Sequence, residues 1–349
     1  MPTVSSRHQI FGELHRKGCF VLPNPWDIGS ALYLRHLGFK ALATTSAGFA
    51  FSRGLPDSAV DRDAMLSHIR EIVEATDLPV NADFEDGYAD DPAGVGKNVR
   101  LCLETGVSGI SIEDSHGHEA NALYEIEHAI ERISAAHEAL AGTDVLLIGR
   151  AECFLVGETN IDEVIRRLAA YASAGADCLY APSVQQREHI SAIVEAVAPK
   201  PVNLLISAPG GLTIADAEAL GVRRVSVGGA LARVAWGGFI RAATELRALV
   251  VSVDLPALRR MRSCRISFVP IPRIGRAKEA EISGDSNRVG RQQNTSSLPA
   301  AGSSAHGCAP LEPRRCSDQI NPLASDGHRR RAQCDRDSNH ASLHRQAEV

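Results

Sequence analysis

The chain lacks an apolar run long enough to span a bilayer, and Met1–Ile10 is too polar for a secretory leader. None of its eight cysteines stands at zinc-ligand spacing, and nothing in their placement suggests a disulfide framework. Cys19, Cys102, Cys153 and Cys178 lie within or beside apolar runs, so a reduced, cytoplasmic protein is expected. Residues 256–349 lack aromatics almost entirely, with no Trp or Tyr and a single Phe, Phe268. They also have almost no lysine. Fifteen arginines and one lysine face nine acids there, so this segment is near +7 and the rest near −12, against −5 for the whole chain. A segment without apolar periodicity cannot offset its ordering entropy by burial. Arginine without lysine also suggests a GC-rich reading frame translated out of register. Residues 252–349 are therefore read as a disordered or out-of-frame basic tail, and 1–251 as the folded domain. No folded nucleic-acid motif accompanies the basic charge, so neither nucleic acid nor membrane is expected as a partner.

What is present is a repeat of local pattern. From Cys19 to about Leu249, amphipathic stretches end in glycine and a short β-branched or apolar run follows. Gly38, Gly106, Gly175 and Gly221 all stand at such junctions, where glycine suits the left-handed residue that closes a helix. Strands are predicted near 20–23, 41–45, 79–83, 109–113, 145–150, 178–181, 202–206 and 224–228. Helices are predicted near 28–37, 61–76, 92–105, 120–140, 160–174, 185–197, 213–220 and 230–248, with an extra one over 5–17. Asp91-Pro92 reads as an N-cap with proline at the first helical position. Eight βα units of even spacing favour a closed TIM (β/α)8 barrel over an open doubly wound sheet.

In such a barrel the chemistry lies at the C-terminal ends of the strands. The polar clusters fall there: Asp57 in G-L-P-D, Asp83-Phe84-Glu85-Asp86, Glu113-Asp114, and Arg150 after V-L-L-I-G. Carboxylates gathered at buried strand ends are costly to leave unpaired. A hard divalent cation is the natural neutraliser, and it prefers oxygen ligands. Asp83 and Glu85 alternate along an extended chain and so point to one side, with Glu113 expected on the adjacent strand. A solvated acidic loop is the plainer alternative. Arg150 needs an anionic partner, either the nearby acids or a substrate carboxylate. T-T-S-A-G (44–48) is either an ordinary tight turn or a close backbone approach to an anion through Ser46 and the amides after it. His116 and His118 are acid–base candidates or solvated loop residues. Tyr180, Ser183 and Asn203 end later strands and could line a pocket, while Gly210-Gly211 and Gly228-Gly229 are too short to specify a phosphate site.

Together these motifs resemble the isocitrate lyase/phosphoenolpyruvate mutase superfamily. The resemblance runs through N-P-W-D-I-G-S-A (24–31), G-F-K-A-L-A-T-T-S-A-G (38–48), G-L-P-D (54–57), D-F-E-D-G-Y (83–88), G-I-S-I-E-D-S (109–115), L-I-G-R-A-E-C-F (147–154), G-A-D-C-L-Y-A-P (175–182) and G-V-R-R-V-S-V-G (221–228). It implies a Mg²⁺-dependent barrel acting on a small α-oxo acid, with an enolate formed as a C–C or P–C bond breaks. It also implies roles for residues. Ser46 and the Ala47 amide would bind carboxylate, and Asp57, Asp83, Glu85 and Glu113 would serve the metal site, several through water. Arg150 would contact the substrate carboxylate and the reacting oxygen, and Trp26 would wall the pocket.

Two departures bear on the reaction. The lyases of the superfamily carry a K-[KR]-C-G-H loop with a catalytic cysteine, whereas S-H-G-H-E-A-N-A-L (115–123) has none. Their P-E-A after the sixth strand is replaced by A-P-S at 181–183. Asn121 stands eight residues after Glu113, as a catalytic asparagine does in the mutases, but the lysines of the mutase loop are replaced by Glu119 and Ala120. The expectation is thus a phosphoenolpyruvate mutase-like enzyme outside the cysteine-loop lyases, a mutase or a decarboxylase, with Asp57, Arg150 and Asn121 as catalytic residues and Asn203 in the pocket. A catalytically silent barrel of the same family is the alternative. Family members often exchange a C-terminal helix between subunits, and the altered C-terminus makes such a homo-oligomer doubtful here.

Overall fold

The computed structural model describes residues 3–116, 122–207 and 211–251. His118, Asn121, Gly210 and the segment 252–349 lie outside the described residues. Among the described residues the strands are β1 (Phe20–Leu22), β2 (Leu42–Ala43), β3 (Val80–Asp83), β4 (Gly109–Glu113), β5 (Leu146–Arg150), β6 (Cys178–Tyr180), β7 (Val202–Leu205) and β8 (Arg224–Ser226). All pair in parallel, in the order β1-β8-β7-β6-β5-β4-β3-β2. The seam between β1 and β2 is bridged by the Ala43 N–H donating to the Pro23 carbonyl at 3.1 Å. The sheet is a nearly closed (β/α)8 barrel, as the even spacing predicts. No helix among the described residues is long and apolar enough to cross a membrane.

The strand alternation divides two environments. Outward residues such as Val80, Ala82, Ile110, Ile112, Leu147, Leu179, Val202 and Val225 are buried under the helices in the main core. Burying each aliphatic side chain stabilises the fold by about 1.5–3 kcal/mol. The partner face of each helix is set by the 3.6-residue period; α4 (Arg62–Ala75), for example, buries Met65, His68, Ile69, Ile72 and Val73. The inward residues of β3, β4, β7 and β8 are unusually polar: Asn81, Ser111, Asn203, Arg224 and Ser226 are all buried.

The helix predicted over 5–17 is α1 (Val4–Leu14), and it closes the bottom of the barrel. Its Phe11 is fully buried and clusters with Leu22, Ala41 and Ala43. His15 stands edge-on to both Phe11 and Phe20, at 4.6 and 5.0 Å. A Cβ on Gly109 would lie 2.7 Å from the Phe11 ring and 2.6 Å from Asn81, so the plug requires glycine there.

The remaining helices are α2 (Ile28–His36), α3 (Ser46–Ser52), α5 (Pro92–Leu103), α6 (Ile126–Ala139), α7 (Ile161–Ser173), α8 (Arg187–Val197), α9 (Ile214–Ala219) and α10 (Ala230–Val251). Pro92 does begin α5, with the Asp91 side chain accepting from Gly94 N. Two differences from the sequence expectation matter for function. The segment 44–48 is not merely a turn: it opens α3, capped by Thr45. The helix predicted over 120–140 starts only at Ile126. Before it, Leu123 pairs with Ser115 in an isolated bridge and the Tyr124 N–H goes to the Asp114 carbonyl. Those contacts tie the segment down in a non-helical form. On α10, Val234, Phe239 and Ile240 are exposed, whereas Leu231 and Trp236 are half-buried.

Candidate active site

The main cavity opens at the C-terminal ends of the strands and measures about 310 Å³. It is lined by Asp83, Arg150, Tyr180 and Asn203 from strands, Ser46 and Ala47 from α3, and Asp57 from the loop after α3.

Asp83 is its most heavily engaged carboxylate. Oδ2 accepts the Ser46 N–H at 2.9 Å and the Ser46 hydroxyl at 3.0 Å, while Oδ1 lies 3.0 Å from Arg150 Nη1. The arrangement follows from local structure. Thr45 uses its side chain to cap Gly48 N, at 3.2 Å, and Ser46 N is left to point outward. The Ala47 N–H, one residue on, has no hydrogen-bond partner among the described residues. Gly48 lets α3 seat on β1's exit: a Cβ there would lie 2.6 Å from Thr45 and 2.9 Å from Trp26. Thr44 fixes the far side, its hydroxyl accepting the Asp83 N–H at 2.9 Å.

Arg150 gathers three carboxylates. Nη1 stands 3.0 Å from Asp83 and 3.1 Å from Glu113, and Nε donates to Glu152. Its guanidinium also lies over the Tyr180 ring, 5.0 Å from the centroid. Burial disfavours its charge, but Glu152, Glu113 and Asp83 outweigh that and hold its pKa well above the usual arginine value. The carboxylates carry the opposite burden. Burial first, with Glu152, Asp83 and Glu85 adding, pushes Glu113 well up against the pull of Arg150. Burial and then Asp83 push Glu85 up to about 8.

Glu85 departs from the sequence expectation. β3 ends at Asp83 and the chain turns at once, with Glu85 at φ +46° in the left-handed region. The turn breaks the extended alternation, so Glu85 does not share the main cavity with Asp83. With Glu113, Asp86 and His116 it lines an adjoining cavity of about 340 Å³. Arg150 joins the two, because Asp83 and Glu113 meet on the same nitrogen. Asp57 also differs from expectation: it is not at a strand end but in the loop beyond α3, folded back over the cavity mouth.

A divalent cation fits this chemistry. Asp83, Glu113 and Glu152 crowd a single guanidinium, Glu85 lines the adjoining cavity with Glu113, and two buried carboxylate oxygens, Glu85 Oε1 and Glu152 Oε2, have no hydrogen-bond partner among the described residues. Hard oxygen donors in excess are what Mg²⁺ takes, commonly through one or two carboxylates with water completing the shell. A protein-only cage is not formed: among the described residues no three His, Cys, Asp or Glu side chains converge closely enough to hold an ion by themselves.

The other expectations divide. Trp26 does not line the main cavity; it packs behind Gly48 and supports the Ser46 turn. Asn203 lines it but is deeper, bound to Arg224 and Ser226 at 2.7 and 2.9 Å. Cys153, beside the β5 end, is fully buried, and burial pushes its thiol up to about 12. His116 lies in the adjoining cavity, and Asn121 lies outside the described residues. Sequence reasoning passed over Asn24, Asn81, Arg224 and Arg233, all of which line the main cavity. Asn24 holds the barrel seam, donating to Thr44 O at 2.8 Å and accepting from Val227 and Gly228 N at 3.0 and 2.9 Å. Arg224 stands in the short strand Arg-Val-Ser, next to Arg223, and nothing in that local pattern singles it out.

A family model for phosphoenolpyruvate phosphomutase matches residues 11–247. The chain belongs to that family. Within the isocitrate lyase/phosphoenolpyruvate mutase superfamily its relatives are lyases and mutases, and it is an enzyme of that kind. A crystal structure of a candidate lyase/mutase from Burkholderia cenocepacia J2315 is 45% identical, with a TM-score of 0.68, over 74% of this chain and 95% of that one. Phosphonopyruvate hydrolase, solved with oxalate and Mg²⁺, is 25% identical with a TM-score of 0.64, over 75% of this chain and 99% of that one. An oxaloacetate decarboxylase from Paraburkholderia xenovorans is 28% identical over 230 residues, 63% of this chain and 74% of that protein.

Proposed function

We propose that this enzyme breaks a C–C or P–C bond next to the ketone of a small α-oxo acid, in a Mg²⁺-dependent reaction that passes through an enolate, with oxaloacetate-like acids as the leading substrates. The observation that carries this reading is the clamp on Asp83. Three donors from α3 and β5 already hold a carboxylate at the mouth of the barrel. The same donors suit a substrate carboxylate or a developing enolate oxygen, once Asp83 gives them up.

The chain's own residues then divide the work. Ser46, with the free Ala47 amide, orients the carboxylate. As the bond breaks, its electron pair moves toward the ketone oxygen. Arg150 meets the charge that develops there, its guanidinium already fixed by Glu152. Tyr180, stacked beneath Arg150, keeps that guanidinium in plane. Asp57, which lines the cavity from the loop beyond α3, is the carboxylate placed to orient a water toward the carbon that is released as an enolate. A Mg²⁺ held by Asp83, with Glu85 and Glu113 acting through water, would add Lewis-acid stabilisation of the same oxygen.

The kinship with an oxaloacetate decarboxylase and a phosphonopyruvate hydrolase supports the substrate class. The absence of a cysteine from the 115–123 segment argues against the cysteine-loop lyase reaction. The test is turnover of oxaloacetate, phosphonopyruvate and substituted malates, each with Mg²⁺ and with EDTA. Metal-dependent turnover of at least one is expected. A folded sample inert toward the whole panel would sink the proposal and favour a silent barrel.

A further inference from the structure

Arg224 opens β8 and faces into the barrel, in register with Asn203 of β7 and Phe20 of β1. It is only 2% exposed, yet it lines the main cavity together with Arg150. Its contacts are all neutral. Nε donates to Asn203 Oδ1 at 2.7 Å, and Nη1 reaches Asn81 Oδ1 at 3.4 Å. Each amide is itself fixed with its oxygen toward Arg224. Asn203 Nδ2 donates to Ser226 Oγ at 2.9 Å, and Asn81 Nδ2 donates to Ser111 Oγ and Ala82 O, both at 3.0 Å. The guanidinium is thus oriented but not neutralised.

No carboxylate among the described residues pairs with it. This contrasts with Arg150, whose charge is shared by three. It contrasts also with the buried Arg167, which pairs with Asp114 at 3.1 Å and Glu163 at 2.7 Å. A buried cation without an anion is costly, and an apolar side chain of similar volume would pack there at less expense. Burial lowers its pKa from the ordinary arginine value, which is the same cost seen another way. Arg233, exposed at the start of α10, adds a second positive group to this side of the cavity.

We infer that Arg224 is a second anion subsite on the floor of the barrel cavity. It takes the distal carboxylate of a small dicarboxylate whose reacting end lies at Ser46 and Arg150. Asn203 and Asn81 act as positioning residues that aim the fork. This deepens the proposed function, on which it rests, by restricting the substrate to molecules with an anion at both ends. A one-ended acid such as pyruvate would leave Arg224 buried and unpaired and would bind less well.

The test compares succinate with butyrate, which replaces one carboxylate by a methyl group at equal chain length. Calorimetry on the full chain with Mg²⁺ present reads both affinities. Wild type is expected to bind succinate at least tenfold more tightly, about the worth of one charge-assisted contact. Arg224→Met should bring the ratio close to one with butyrate affinity unchanged, and Arg224→Lys should retain part of it. Equal affinities in the wild type would overturn the subsite. So would a wild-type ratio in a folded Arg224→Met protein; Arg224→Gln serves for the same comparison if the methionine variant does not fold. Turnover plays no part in this readout. An inert enzyme that still prefers succinate through Arg224 would refute the proposed reaction and keep the subsite. An active enzyme without the preference would do the reverse.

Discussion

Ser46 binds Asp83 twice, through its backbone N–H at 2.9 Å and its hydroxyl at 3.0 Å, and both bonds fall on the same carboxylate oxygen. The other oxygen of Asp83 belongs to Arg150. One carboxylate therefore ties the first turn of α3 to the end of β5, and any substrate carboxylate that uses these donors must compete with it.

That competition sets the behaviour of Asp83→Asn. The amide keeps the size but not the charge, so Mg²⁺ affinity should fall by tenfold or more. Stability should change by no more than about 1 kcal/mol, since Arg150 retains Glu113 and Glu152. Mg²⁺ titration by calorimetry and a thermal melt check both. Undiminished Mg²⁺ binding would remove Asp83 from the metal site.

Arg150→Lys keeps a cation but loses the planar fork that spans Asp83, Glu113 and Glu152. We expect kcat/KM to fall by about 10²–10³, the usual cost of losing a preorganised oxyanion donor. Arg150→Met goes further, leaving buried carboxylates with no cation, at a cost of about 3–5 kcal/mol at neutral pH. The sign of its pH dependence follows from Glu113, whose folded pKa already lies well above the usual carboxylate value. A raised folded pKa means that the fold binds more protons than the unfolded chain. The methionine variant should therefore recover stability as pH falls from 8 toward 5 and lose it as pH rises. Denaturant melts across that range would expose the opposite trend.

His68 acts in the other direction. It is buried against Phe49, with ring centroids 3.9 Å apart, and its Nε2 has no partner among the described residues. Burial pushes its pKa down to about 4. The unfolded chain therefore takes up a proton near pH 6.5 that the fold refuses, so this group costs stability as pH falls from about 6.5 toward 4. The loss approaches a few kcal/mol at the lower end, of order 1.4 per pH unit. His68→Phe keeps the stack and removes the titration, so its stability curve should be flatter over that window. An unchanged slope would show that other groups govern the acid limb.

The four cysteines of the described barrel should be poor targets. Cys102, Cys153 and Cys178 are fully buried, and burial raises all three thiols. Cys19 is half-buried and pushed up to about 11, again chiefly by burial. Brief treatment with iodoacetamide at pH 7 should leave oxaloacetate turnover intact, with any label in the barrel confined to Cys19. Rapid inactivation with modification at Cys153 would contradict the burial of that thiol and the reading of this site as free of cysteine chemistry.

The barrel and much of its mouth were legible in the chain itself. Eight evenly spaced βα repeats, four of them with a glycine between helix and strand, specify the fold because apolar period and turn chemistry are local properties, and Ser46, Asp83, Glu113 and Arg150 stand at strand ends that any closure brings to one face. Position relative to one another was not legible. Extended alternation put Glu85 beside Asp83, and only the left-handed turn at Glu85 sent it to the adjoining cavity. The short helix α3 was hidden because seven residues with a glycine carry no usable period, and Trp26 was misread because its contact, Gly48, lies across the barrel seam. Arg224 was passed over because its strand, Arg-Val-Ser, is too short and too polar to mark it as inward-facing. That two amides and, among the described residues, no carboxylate surround it depends on β7 lying next to β8 and β3 facing it across the barrel interior, 21 and 143 residues away in sequence. Sequence sets which groups a strand can present; which charges those groups meet is decided by closure of the sheet, since electrostatic partnership depends on distances through space that no local pattern encodes.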